Sequence, residues 1–247
     1  REFIRAHFRF GNQDKFYCVC PNDNAFYLYQ NYGVEEHIEP DRCVSINQND
    51  ALGLEEAQCL LRYDPGIIQN AWARRYHGQR LYSLCGVAHA SASDNVMEMV
   101  GNYLSAPLQS WDALICPSKA IHSAILSIIE SWERYFKERF GQKVRCPVEL
   151  PIIPLGVDTA KFANFVTAGK RSQQREKLRI AENEIVLLYV GRLNYVAKSN
   201  PLPLLIAAEQ VAASSAAPIR ILFNGYFNDE VNEEAFIQAT DVICKKV

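Results

Sequence analysis

Six consecutive apolar residues, IVLLYV at 185–190, run without a charge and stop at Gly191. Arg192 follows at once, Lys198 comes six positions later, and a second apolar stretch with helical spacing begins near Pro201. A short apolar run closed by glycine and followed by a helix reads as a buried strand, a turn and a covering helix. That unit restricts the chain to an α/β fold in which helices shield a parallel sheet, because a strand this apolar needs cover on both faces. The loop after such a strand lies at the carboxyl edge of the sheet, where open α/β folds bind ligands. Two cationic side chains there suit a diphosphate: a guanidinium binds two oxygens at once and an ammonium acts as a point charge. Solvated Arg and Lys are also ordinary in loops of this kind, so the loop chemistry alone leaves both roles open.

The same alternation runs through the rest of the chain. Residues 15–20, 43–46 and 60–63 are short apolar runs separated by what read as polar loops. Residues 79–87 make a better strand, followed by a Ser-rich turn and a helix over about 94–104. A third strand over 111–116 passes through Pro117 to Ser118, which is placed to cap an amphipathic helix to about Phe140, with Gly141 ending it. The opening REFIRAHFRF reads as a helix. After an apolar segment at 148–157, broken by Pro151 and Pro154, the composition turns polar and lysine-rich over 159–174. The pattern then restarts as strand 185–190, helix 202–213, strand 219–223 and helix 231–246. A chain of 247 residues suits two domains. The polar interval divides it into 1–158 and 159–247.

Composition removes several classes. A net charge of −2 gives no basic surplus for nucleic acid, and no window has the length of uncharged apolar sequence that crosses a membrane. The chain begins without an initiator Met or a secretory signal, so a processed product or a piece of a longer protein is expected, in the cytoplasm. Eight cysteines, Cys18, Cys20, Cys43, Cys59, Cys85, Cys116, Cys146 and Cys244, are scattered with no C-x-x-C pair. They are expected to be buried free thiols in a reducing compartment. Cys18 and Cys20 are expected to point to opposite faces, and no structural zinc is expected.

Taken together, PLGVD at 154–158 with Phe162, the strand leading to Gly191-Arg192, Lys198, and PLLIAAE at 203–209 resemble the retaining glycosyltransferases of family 4. The resemblance implies the GT-B fold, with two Rossmann-like doubly wound domains facing a cleft. The first, 1–158, would be the acceptor side, and 159–247 the start of the domain that binds the nucleotide sugar. It implies that Gly191, Arg192 and Lys198 bind the donor diphosphate. It also implies that His89, after the strand LYSLCGVAH, contacts the transferred sugar. No metal or other cofactor is implied beyond the nucleotide-diphosphate sugar, which is itself a substrate. The family usually continues Lys-Gly where this chain has Lys198-Ser199.

Two family features have no counterpart here: the glycine-rich acceptor loop after the first strand, and a glutamate pair with seven residues between its members late in the second domain. Glu130/Glu138 and Glu176/Glu184 have that spacing but precede the Gly-Arg loop, and read as chance matches at solvated positions. The second domain is therefore expected to be incomplete. These residues alone are expected to bind donor weakly or not at all, to transfer sugar inefficiently, and to associate, as a homodimer or an aggregate, through an unpaired strand edge. Asp112 and Asp158 read as turn or strand-edge residues. Ser118 lacks a G-x-S-x-G elbow and reads as a cap, not a nucleophile. His89 as a mere turn residue bonding the SASD backbone stays open; His7, His37, His77 and His122 read as surface or core residues. The remaining alternatives are a GT-B-like binding module that has lost catalysis, and a nicotinamide-dependent Rossmann oxidoreductase. The latter is opposed by the missing G-x-G-x-x-G after every strand.

Overall fold

The computed structural model describes residues 2–47, 50–89, 93–165, 169–194, 198 and 200–244. It is a mixed α/β chain whose strands all pair in parallel. It divides into two compact units, Arg1–Gly156 and Val157–Val247.

In the first unit, helix α1 (Glu2–Phe10) precedes strand β1 (Phe16–Val19), helix α2 (Asp23–Glu35) and strand β2 (Cys43–Ile46). Helix α3 (Ala51–Ala57) then leads to β3 (Cys59–Leu61), α4 (Ile68–His77) and β4 (Ser83–Val87). Helix α5 (Asp94–Gly101), β5 (Ala113–Ile115) and the long α6 (Lys119–Phe140) complete the series. Three of these helices occupy intervals that the sequence reading left as polar loops. Asn22 and Asp50 cap α2 and α3 by accepting from the amides of Ala25 and Gly53, so the cap signal was present. Ser118 does cap α6, accepting from Ile121 N at 3.2 Å, and Gly141 closes it at φ 69°.

Two strands are shorter than expected, each for a local reason. Of 79–87 only Ser83–Val87 is extended: Gly78 ends α4, Leu81 N bonds back to its carbonyl, and Arg74 takes the carbonyl of Tyr82. Of 111–116 only 113–115 is extended, because Asp112 N closes a turn on Gln109 O. Residues 148–153 continue the sheet, with Glu149 and Ile152 bridging Ala113 and Cys116.

β1 pairs with β2, and β3–β4–β5 form a separate ladder. The two ladders share one core: Ile46 of β2 is buried with Leu84 and Leu114, and Tyr17 and Val19 of β1 pack against the same cluster. A satellite cluster of Phe8, Phe16, Tyr29, Tyr32 and Cys43 lies under α1 and α2. Residues at the carboxyl ends of β1, β2 and β3 line one cleft.

At the heart of this unit stands an ion pair that the sequence reading missed. Arg74 and Asp112 are both fully buried and meet in a two-pronged contact at 2.6 Å on each arm. Asp112 also accepts from the amides of Leu84 and Gln109, each at 2.8 Å. It is therefore a core tie between α4, β4 and the turn before β5, not a strand-edge residue.

The second unit holds α7 (Thr159–Phe165), α8 (Lys170–Lys177), β6 (Ile185–Val190), α9 (Leu202–Ala212), β7 (Ile219–Asn224) and α10 (Glu230–Cys244). Asp158 caps α7 through Lys161 N at 3.0 Å. β6 and β7 pair along their full length. Leu193, Leu205, Ala208 and Phe236 are buried, and Phe223 stands edge-on to Phe236 with ring centres 5.1 Å apart. Glu184 is not a free surface carboxylate: it holds Arg220 through two bonds, 2.6 and 3.1 Å, tying the start of β6 to β7. That bond lowers its pKa, with the Ala181 amide adding to the effect.

Candidate functional site

The Gly191 turn sits at the carboxyl end of β6, as its sequence demands. A side chain at 191 would put Cβ 2.9 Å from the Tyr189 hydroxyl, and one at Gly225 would meet the Gly191 carbonyl oxygen at 1.7 Å. Two glycines thus let the loops after β6 and β7 run against each other, joined by Gly191 N to Asn224 O at 3.1 Å and Leu193 N to Tyr226 O at 2.9 Å. Arg192 and Lys198 are exposed, while Leu193 between them is buried and anchors the turn.

The Tyr189 hydroxyl lies 3.4 Å from the Arg192 carbonyl oxygen and 3.2 Å from that of Lys198. One hydroxyl thus lies within reach of the backbone at both ends of the loop. Lys198 N also bonds Asn194 O at 3.0 Å. Residues 195–197 and 199, including the departure from Lys-Gly at Ser199, lie outside the described residues. The arrangement is suited to an anion: two solvent-facing cations at a sheet's carboxyl edge, with the backbone pinned beneath them.

The first unit presents its own carboxyl edge. A cleft of about 510 Å³ opens there, lined among others by Cys20, Asn47, Arg62, Tyr63, Asp64 and Asn70. Arg62 donates to both Asp64 oxygens at 3.1 and 2.9 Å, and Gly66 N donates to Oδ1 at 2.8 Å. The Arg62 hydrogen bond holds the Asp64 carboxyl below its ordinary range, opposed in part by burial and helped by the Gly66 amide and, more weakly, by the charge of His89. His89 is exposed just beyond β4, where Ala88 N bonds Ile115 O at 2.9 Å. Its charge thus acts on Asp64 of the Arg62–Asp64 pair. Ala90 and the first two residues of the SASD turn, 91–92, lie outside the described residues.

Arg62 and Asp64 escaped the sequence reading, which took 60–63 as an apolar run. The available signal was the R-x-D-P-G string, in which Asp64 accepts from the amide two residues on and so turns the chain out of β3. The other histidines are placed without a comparable setting: His7, His37 and His77 are exposed and His122 is half-buried. Glu130, Glu138 and Glu176 are exposed.

The cysteines correct two expectations. Among the seven described, all are free thiols, but only Cys43 and Cys116 are buried and Cys59 is exposed. Cys18 and Cys20 do not diverge: their sulfurs are 3.1 Å apart. Residues two apart in an extended chain share a face, so the expectation of opposite faces misjudged the pleat. Among the described residues no three His, Cys, Asp or Glu side chains gather as a metal-ligand set, and no helix is long and apolar enough to cross a membrane.

No protein-family model, no curated protein and no solved structure matches this chain.

Proposed function

We propose that this chain is part of a retaining glycosyltransferase of the GT-B type, one that moves a sugar from a nucleotide-diphosphate donor to an acceptor hydroxyl. The observation that carries the reading is the Tyr189 hydroxyl within reach of the backbone carbonyls of both Arg192 and Lys198, which places the two residues in one loop at the carboxyl end of β6. Departure of a nucleoside diphosphate builds negative charge on its oxygens. Cations fixed in place beforehand stabilise that charge without reorganising during the reaction. In this reading Arg192 grips two diphosphate oxygens, Lys198 supplies a point charge, and Gly191 keeps the backbone low enough for the ligand to approach. His89 contacts the transferred sugar.

Calorimetric titration of a full-length version with a panel of nucleoside diphosphates tests the diphosphate role. One of them is expected to bind, and Arg192→Ala is expected to weaken that binding by about tenfold or more, the loss of a charge-assisted hydrogen-bond pair. Binding that Arg192→Ala leaves unchanged removes the assignment. In the complete enzyme His89→Ala should lower turnover strongly while leaving nucleoside diphosphate affinity nearly intact, the mark of a contact made chiefly in the transition state. An inactive binding module of the same fold would bind the diphosphate and show no turnover with any sugar nucleotide.

A further inference from the structure

We infer that Cys18 and Cys20 form a reversible disulfide, with Cys20 as the entry thiol and Cys18 as its resolving partner, at the rim of the first unit's cleft. The two sulfurs already lie 3.1 Å apart, closer than thiols pack without a specific interaction and about 1 Å from bonding distance. The environments of the two differ in the way such a pair requires. Cys18 lies on β1 and packs against the aromatic cluster of Phe8, Phe16 and Tyr29, whereas Cys20 has left the strand and lines the cleft. A small oxidant reaches Cys20 through that cleft. Burial pushes the Cys18 thiol up to about 12, with the hydrogen bond to Cys20 adding to the effect. Cys18 is therefore a poor first nucleophile, and the first attack falls to Cys20.

The oxidant is a low-molecular-weight disulfide such as glutathione disulfide. The Cys20 thiolate attacks one of its sulfurs, an S–S bond breaks, and one glutathione leaves as a thiolate. Cys18 loses its proton as it attacks the Cys20 sulfur of the mixed disulfide, and the second glutathione leaves. The protein dithiol gives up two electrons and two protons, and the small disulfide becomes two thiols. Cys43, buried in the same cluster, is the competing partner, but its position beneath Phe16 and Tyr29 keeps small oxidants out. The consequence is local: the backbone from Val19 to Pro21, which forms one wall of the cleft, is drawn toward β1 and held there until a thiol reductant opens the ring. This does not depend on which reaction the cleft serves.

The test is peptide mass spectrometry of the intact chain after incubation with glutathione disulfide, quenching with an alkylating agent, and digestion with trypsin. Cleavage after Lys15 and Arg42 yields peptide 16–42, which contains Cys18 and Cys20 and no other cysteine. The expected product is that peptide lighter by two hydrogens and unalkylated, restored by dithiothreitol. In Cys18→Ser, Cys20 should remain glutathionylated; in Cys20→Ser, Cys18 should resist modification. Circular dichroism of both variants establishes that they are folded. The inference is overturned if glutathione persists on Cys20 of the unaltered chain, if peptide 16–42 is cross-linked to the peptide holding Cys43, or if both thiols are still alkylated when exposed Cys59 has fully reacted.

Discussion

At the residue scale, the least replaceable side chains of the first unit are Arg74 and Asp112. Each faces the other's charge in a fully buried site, and Asp112 also accepts from two amides. Asp112→Ala leaves the Arg74 guanidinium buried with its counter-charge gone. It is expected to destabilise the unit by about 3–5 kcal/mol, read from urea unfolding of the variant against the unaltered chain. A loss below about 1 kcal/mol would mean that Arg74 finds water or another partner. Nothing local in the string SWDAL marks Asp112 as buried; its partner is 38 positions away. By contrast, Ser118 and Gly141 declare their roles by sequence, because a helix cap is satisfied within a few residues of itself. Arg192 and Lys198 were legible for the same reason, and the hydroxyl that joins their backbones was not.

At the element scale, the strongest elements were those whose signal is internal. Strand 185–190 and the helix from 119 to 140 stand where their apolar patterns put them, but β6 is not the buried strand expected, since Ile185, Leu188 and Val190 are exposed. Helix α2 did not announce itself, because Phe26, Tyr27, Tyr29 and Tyr32 are indifferent helix formers. It is held by burial of Tyr29 and Tyr32 against Phe8 and Phe16, a tertiary cause. The β3 strand offers a test of how its ladder ends. Its β4 side is fixed by Ser83 N to Gln58 O and Arg62 N to Cys85 O, so Cys59 and Leu61 direct their amides to the opposite edge. Hydrogen exchange followed by nuclear magnetic resonance should find Arg62 protected and the Cys59 and Leu61 amides exchanging much faster. Equal protection at all three positions would require a further strand bonded along that edge.

At the scale of the whole molecule, the second unit leaves apolar surface in the open. Leu188 and Val190, two apart and so on one face of β6, are 61% and 67% exposed, and Ile185 at the start of the strand is 47% exposed. Surface of that kind on a strand favours association. Sedimentation velocity over a range of chain concentrations is expected to show self-association, and the double substitution Leu188→Lys with Val190→Lys is expected to reduce it. A single monomeric species throughout would show that this face is stable in water. By itself the sequence determined the alternation of strands and helices, the helix caps and the cationic loop after β6, since each rests on contacts between near neighbours in the chain. Only the tertiary structure decided that Asp112 is a core counter-ion, that Glu184 ties β6 to β7, that Arg62 and Asp64 share a cleft edge with Cys20, and that Cys18 faces Cys20. Ion pairs and clefts of this kind join residues that the chain separates widely. The pairing of Cys18 with Cys20 instead depends on how β1 ends, which packing against the core sets.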